Sequence, residues 1–300
     1  MSKEKKNKEV KEKKKKIFDD DATFGNKVST VVEAIVACVV IALIVILIVN
    51  VINKNKFKTQ NPVATIEIEN FGTIKAELYP DYAPNTVANF IKLANSGFYN
   101  GKVFHRTIPD FMIQGGDPNG DGTGSATKQD IGITDETAAD AYTIRGEFIL
   151  NGYKENTLRH TKGVLSMARS DYSSTGTAAI TKKGYDSASC QFFIMSADNT
   201  SLDGSYAAFG KVIEGLEIVE KIANVDVETR DSNTTDQNLT ADRPIDPPVI
   251  KSITVDTKGV DYETPETEVP FDYYNYMMQQ YYGGSKGAST GASSGVSYTE

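Results

Sequence analysis

Val103-Phe104-His105-Arg106-Thr107-Ile108-Pro109-Asp110-Phe111-Met112-Ile113-Gln114-Gly115-Gly116-Asp117 is the stretch that carries the most information in this chain. Phe111 and Ile113 alternate with Met112 and Gln114, the period of a half-buried strand. Strand candidates run over 102–107 and 111–114. Successive side chains on a strand leave opposite faces, so His105 points away from Arg106. His105, like His160, reads as a structural histidine. Taken alone, the alternation describes any half-buried strand, and Arg106 a solvated or paired surface cation. What lies on either side changes that reading.

Upstream, Ala64-Thr65-Ile66-Glu67-Ile68-Glu69 and Thr73-Ile74-Lys75-Ala76-Glu77-Leu78 alternate in polarity around Asn70-Phe71-Gly72, the pattern of a hairpin. Val87, Phe90, Ile91 and Ala94 then recur at helical spacing, and Pro84 sits where a first helical turn tolerates proline. Downstream, strands are expected at 164–168, 191–195, 207–212 and 249–255, with a second helix at 215–223. Many short strands with two separated helices predict a mainly-β closed antiparallel barrel capped by two α-helices. Residues 117–143 and 170–188 are rich in small polar residues and read as long loops. From about 259 the chain is low in complexity, with Tyr273, Tyr274, Tyr276, Tyr281 and Tyr282 followed by a Gly/Ser/Ala run. The tail 259–300 is expected to be disordered, because such a composition buries no core.

The N-terminal part reads differently. Residues 34–49 form an unbroken apolar run. Extended over 28–52 it reaches the roughly twenty residues needed to cross a bilayer. A soluble core helix would keep a polar face, and this run has none. The reading is a transmembrane helix at 28–52, after a lysine-rich cytoplasmic segment at 1–27 and before a linker at 53–61. Nine lysines against three glutamates in residues 1–16 place the N-terminus inside the cell. The domain at 62–258 is then extracytoplasmic on a single-pass cell-membrane protein. No small-x-small cleavage site follows the run, so the anchor reads as uncleaved.

Composition excludes several functions. From residue 53 onward 22 Lys and Arg face 33 Asp and Glu, an acidic balance that argues against nucleic acid as a partner. Two cysteines, Cys38 and Cys190, supply no disulfide framework, and two histidines supply no His-rich metal centre. There is no Gly-x-Ser-x-Gly elbow, phosphate-cradling loop or His-Glu-x-x-His pair. The Gly-rich segment 115–124 lacks the closing Glu of a calcium loop and the Lys of a phosphate loop, so it reads as turn chemistry. No cofactor is expected.

The segment 103–117 resembles the signature of the cyclophilin family of peptidyl-prolyl cis-trans isomerases. Further blocks follow in that family's order: Leu165-Ser166-Met167-Ala168, Gln191-Phe192-Phe193-Ile194, Leu202-Asp203-Gly204 and Phe209-Gly210-Lys211-Val212-Ile213-Glu214-Gly215. The resemblance spans about residues 62–256. It implies an eight-stranded barrel with two capping helices, matching the pattern above. It also implies rotation of X–Pro bonds, with Arg106 as the catalytic donor and Gln114 orienting it and binding substrate backbone. Phe111, Met112, Phe193 and Leu202 would form the apolar proline pocket, with Tyr206 at its rim. Ala168, the backbone of Arg169, and Gln191 would bind the residues before proline, next to a subsite lined by Gly122 and Thr123.

The chemistry is consistent with those residue types. The rotation barrier comes from amide resonance and is on the order of 20 kcal/mol. No bond to carbon breaks, so a donor aimed at the prolyl nitrogen and a grip on the ring suffice, without a nucleophile. Three positions depart from the family pattern. Ser201 stands where many members carry the Trp associated with cyclosporin, so cyclosporin binding is expected to be weak. Tyr206 replaces a rim His, and Arg169 an Asn. The reading is a membrane-tethered isomerase acting on proline-containing unfolded or exported polypeptides. The alternatives are a non-catalytic proline-peptide binding module, or a chaperone or scaffold at the cell envelope.

Overall fold

A computed structural model describes residues 10–15, 35–47, 60–231 and 240–283. The chain divides into a unit at Met1–Gln60 and a unit at Asn61–Glu300. In the first, residues 10–15 and 35–47 are helical. Among the described residues no helix is long and apolar enough to cross a membrane. The helical piece 35–47 falls short of the roughly twenty residues a bilayer needs. The remainder of the expected span, at 28–34 and 48–52, lies outside the described residues.

The second unit begins with the expected hairpin, β1 (Val63–Ile68) and β2 (Gly72–Leu78), paired antiparallel with Ala64 opposite Ala76 and Ile66 opposite Ile74. α1 (Pro84–Asn95) follows, with Val87, Phe90, Ile91 and Ala94 on its buried side. Its N-cap, Ala83, offers no side-chain acceptor. Glu147 takes that role from a distant loop, its carboxylate accepting from the backbone N–H of Asn85 (3.0 Å) and Thr86 (2.8 Å). Burial pushes the Glu147 carboxyl above its ordinary range, although those hydrogen bonds pull the other way.

β3 (Val103–Ile108), β4 (Met112–Asp117), β5 (Val164–Met167), β6 (Phe192–Met195), β7 (Ala208–Glu214) and β8 (Ile250–Asp256) complete one antiparallel sheet. Its order is β3-β4-β6-β5-β7-β2-β1-β8. A bridge between Val103 and Val249 joins the two outer strands, supported by Phe104 N–H to Pro248 O (2.9 Å) and Ile250 N–H to Lys102 O (2.7 Å). The mainly-β, eight-stranded reading is borne out, with α1 and α3 (Leu216–Ala223) as the two expected helices.

Alternation on these strands builds two apolar clusters on the two faces of one sheet. Ile113, Leu165, Met167, Phe192 and Ile194 turn inward with Phe90, Tyr99 and Phe209. The inner rings pack edge-on or tilted, with Phe90–Phe192 and Phe90–Phe209 centroids 5.4 and 5.1 Å apart. Met112, Val164, Phe193, Met195 and Ala208 turn outward, flanked by Phe111, Leu202 and Tyr206.

Two expectations need correction. The stretch 170–188 is not all loop, because α2 (Ala178–Tyr185) lies within it. The helix is short, with Ile180 as its buried apolar anchor, so its periodicity is too weak to read. Gly184 lets it approach closely, since a Cβ there would lie 2.5 Å from the Ser170 carbonyl. The second correction concerns the tail. Residues 259–272 run along the domain rather than apart from it. Asn85 and Glu266 exchange hydrogen bonds (2.7 and 3.0 Å), as do the backbones of Thr143 and Glu268 (2.7 and 3.0 Å). α4 (Tyr273–Gly283) then stacks Tyr273 on Tyr172 at 4.7 Å. A polar segment can dock this way through hydrogen bonds and isolated rings, without a hydrophobic stripe. Residues 284–300 lie outside the described residues.

Candidate active site

Two members of the outward-facing cluster, Met112 and Phe193, form the floor of a cavity of about 150 Å³. Met112 and Phe193 come up from β4 and β6, and Phe111 from the turn before β4. Leu202 and Tyr206 close the side from the β6–β7 connection, where Asn199 caps the short turn Thr200–Leu202 by accepting from Ser201 N–H. Arg106, Gln114 and Arg169 form the polar rim of the same cavity, and Ala168 adds a small apolar contact beside them. Nine residues singled out from the sequence therefore meet in one place.

The remaining three, Gln191, Gly122 and Thr123, line a second cavity of about 190 Å³ that shares Gln114, Ala168 and Arg169 with the first. Its wall is made by the loop after β4. The buried Asp117 carboxylate accepts from the N–H groups of Asn119, Asp121 and Gly122 at 3.1, 2.9 and 2.6 Å, folding the loop around itself. Gln191 ties the loop to β6, its amide donating to the carbonyls of Gly122 and Gly124 at 3.0 Å each.

Arg106 and Gln114 face each other across β3 and β4. Their side chains make no hydrogen bond to one another. The Gln114 amide donates to Gln191 Oε1 at 3.1 Å, so its own carbonyl oxygen is not used in that contact. Arg106, 42% exposed, instead has the Asp242 carboxylate 3.8 Å from its Nη2. Asp242 comes from the long connection between α3 and β8, a stretch with no periodic signal.

Arg169 carries more than its backbone. Its guanidinium donates to the carbonyls of Ser205 (3.0 Å) and Ser170 (2.9 Å). It also lies over the Tyr206 ring at 4.4 Å and the Tyr185 ring at 5.0 Å. The cation therefore locks the rim tyrosine to α2, an arrangement available to a planar fork and not to the amide of Asn.

The two histidines are structural, as read, but in different ways. His160 is fully buried beneath the apolar floor. It stacks on Phe193 at 6.0 Å and bonds through Nε2 to Ser166 Oγ (3.1 Å) and through Nδ1 to Asp203 (3.3 Å). Burial lowers its pKa, against the pull of Asp203. Burial disfavours ionisation of Asp203 as well. The His160 backbone N–H, Arg159 and the imidazole outweigh that and hold the carboxyl below its ordinary value. His105 is buried with neither ring nitrogen hydrogen-bonded, and burial lowers its pKa too. Cys190 is a buried thiol whose pKa desolvation pushes up to about 12, so it is not a nucleophile. Among the described residues no three His, Cys, Asp or Glu side chains come together to hold a metal ion.

Comparison with known proteins places this geometry. Residues 63–255 match the model of the family "Cyclophilin type peptidyl-prolyl cis-trans isomerase/CLD". Peptidyl-prolyl cis-trans isomerase B of Bacillus subtilis strain 168 is 40% identical over 160 residues, covering 53% of this chain and 90% of that protein. A peptidyl-prolyl cis-trans isomerase of Acinetobacter baylyi is 40% identical over 165 residues, covering 53% of this chain and 71% of its own length. Peptidyl-prolyl cis-trans isomerase-like 2 of Rhizopus delemar is 38% identical over 165 residues, and the chain spans only 25% of that longer relative.

Proposed function

The chain belongs to the cyclophilin-type peptidyl-prolyl cis-trans isomerases, a family of enzymes that rotate X–Pro peptide bonds, and on that premise we propose that it accelerates this rotation in unfolded, exported polypeptides while tethered to the cell membrane. The observation that carries the catalytic part is a half-exposed Arg106 guanidinium at the rim of an apolar cavity sized for a proline ring. The ring enters against Phe111, Met112, Phe193 and Leu202. Arg106 donates toward the prolyl nitrogen as the amide twists, holding the lone pair there and out of resonance with the carbonyl. The donor is aimed where electron density develops, so it favours the twisted state over either planar one. The Gln114 carbonyl oxygen accepts from substrate backbone, and the backbone at Ala168 and Arg169 holds the residues before proline. Those residues run toward the cavity lined by Gly122, Thr123 and Gln191. With Ser201 in place of the indole associated with cyclosporin, that drug binds weakly.

The membrane part rests on the sequence: the apolar run within 28–52 and the lysines before it. It is tested by fractionating cells and treating intact spheroplasts with protease. A protein that sediments with membranes and is degraded from outside supports the tether, and a protein in the soluble fraction overturns it. The catalytic part is tested by NMR exchange of short Ala–Pro peptides with the full chain in detergent. Arg106→Ala is expected to lower kcat/KM by a factor on the order of 100–1000, the effect of removing one transition-state donor. Peptide binding without exchange in the unaltered protein would reassign the cavity to recognition alone.

A further inference from the structure

Within the connection between α3 and β8, the described residues 228–230 and 240–243 form a two-limbed arm beside β3. Glu228 N–H bonds to Arg243 O (2.8 Å) and Asp242 N–H to Thr229 O (2.8 Å), pairing the arm's two limbs. Glu228 adds side-chain contacts to Arg243 (3.6 Å) and to the N–H of Thr240 (2.6 Å). The arm then takes both backbone groups of Thr107, the residue next to Arg106. Thr107 N–H donates to Asp242 O at 2.9 Å, and the Arg230 guanidinium donates to Thr107 O. The backbone of Asp242 is held at φ +60°, a left-handed conformation uncommon for a residue other than glycine. Strain of this kind persists only where surrounding contacts enforce it.

The result is a carboxylate between two guanidinium groups. Asp242 Oδ1 lies 3.6 Å from Arg230 Nη1, and Oδ2 lies 3.8 Å from Arg106 Nη2. Asp242 is 18% exposed, whereas Arg106 is 42% exposed. Among the described residues Asp242 is the ionic partner of Arg106, and Gln114 is engaged by Gln191 instead. Arg106 stands on a long, flexible stem. Without a partner its fork would sample many rotamers, and only some aim a donor at the cavity. A carboxylate contacting one end of the fork restricts that sampling while leaving the other N–H groups free. Such preorganisation acts on the chemical step more than on binding.

We propose that Asp242 is a positioning residue for the isomerisation, holding the Arg106 fork over the proline cavity from an arm braced by Arg230. This rests on the reading of Arg106 as the donor. The test compares the unaltered full chain with Asp242→Asn, Asp242→Glu, Arg230→Gln and Arg106→Ala, by NMR exchange of Ala–Pro peptides over a range of peptide concentrations. Asp242→Asn is expected to lower kcat about tenfold with KM within twofold, the scale at which small misplacements of a catalytic group act. It should also shift the Arg106 Nε–H resonance. Asp242→Glu should recover part of the rate, and Arg230→Gln should give a smaller loss in kcat. An unchanged kcat in Asp242→Asn overturns the proposal. So does a loss that tracks a lowered Tm, with the Arg106 resonance unmoved and no recovery by Glu. If Arg106→Ala itself keeps its rate, the donor reading fails first, and the two failures are told apart by that variant.

Discussion

The two faces of the sheet are built from alternate residues of the same strands, yet they do different work. Phe192 and Ile194 enter a closed core of interlocking rings, while Phe193, between them in sequence, lines an open cavity rimmed by Arg106, Gln114 and Arg169. The inner face is mostly apolar, with its buried polar Asn89 bonded to Tyr142 and Ser189, so its value is stability. On the outer face the apolar floor stays accessible and is supported from below by polar contacts, as with His160 and Asp203. A site of this kind needs no special backbone. It needs the second face of a sheet left uncovered and a few charged side chains brought to its edge.

The sharpest way to break that comparison is a matched pair of truncations. Phe192→Ala is expected to cost about 3–5 kcal/mol of unfolding free energy, measured as a lowered denaturant midpoint at constant slope. Phe193→Ala should cost less stability but lower kcat/KM for Ala–Pro peptides about tenfold, roughly 1.4 kcal/mol. Equal stability losses with unchanged activity in Phe193→Ala would erase the division of labour.

Glu147→Gln gives a smaller effect. It weakens the acceptors at the start of α1 and should cost about 1 kcal/mol, in the range for a lost helix cap. Activity per folded molecule should stay the same, because the helix packs on the inner face.

The smallest expected effect is in the pH dependence. His105 and His160 both have folded pKa values below the unfolded value of about 6.5. The unfolded chain therefore takes up protons first as pH falls. The stability these neutral rings contribute is fully present above about pH 6.5 and is lost as pH drops through their folded pKa values. The Tm measured by scanning calorimetry should decline between pH 7 and pH 5. The slope should be shallower in His105→Asn, and an unaltered slope would assign the decline to other groups.

Period-two alternation made Ile113 and Met112 legible as opposite faces, so the sheet and the apolar floor could be read from the sequence. The family's ordered blocks supplied the rest of the cavity lining. What could not be read were contacts made by polar residues far apart in the chain. Asp242 reaches Arg106 from the far side of the barrel's last connection, and no spacing rule joins them. The Arg169 side chain was passed over because its partners Tyr185 and Tyr206 lie in a missed helix and a rim loop. The segment carrying Glu266 and Glu268 looks like an idle tail because hydrogen bonds to Asn85 and Thr143 dock it, not buried apolar area.

The first strand of the domain pairs with its last: Ala64 lies opposite Val255, and Ile66 opposite Ile253. A chain threaded out N-terminus first must therefore keep β1 without its outer neighbour until nearly the whole domain has emerged. Pairings of such wide sequence separation are slow to form, since the closure entropy of the intervening chain is spent before the contact is gained. This isomerase domain is thus itself late to finish, and the exposed edge of β1 during its emergence is the point at which an arriving chaperone would find it.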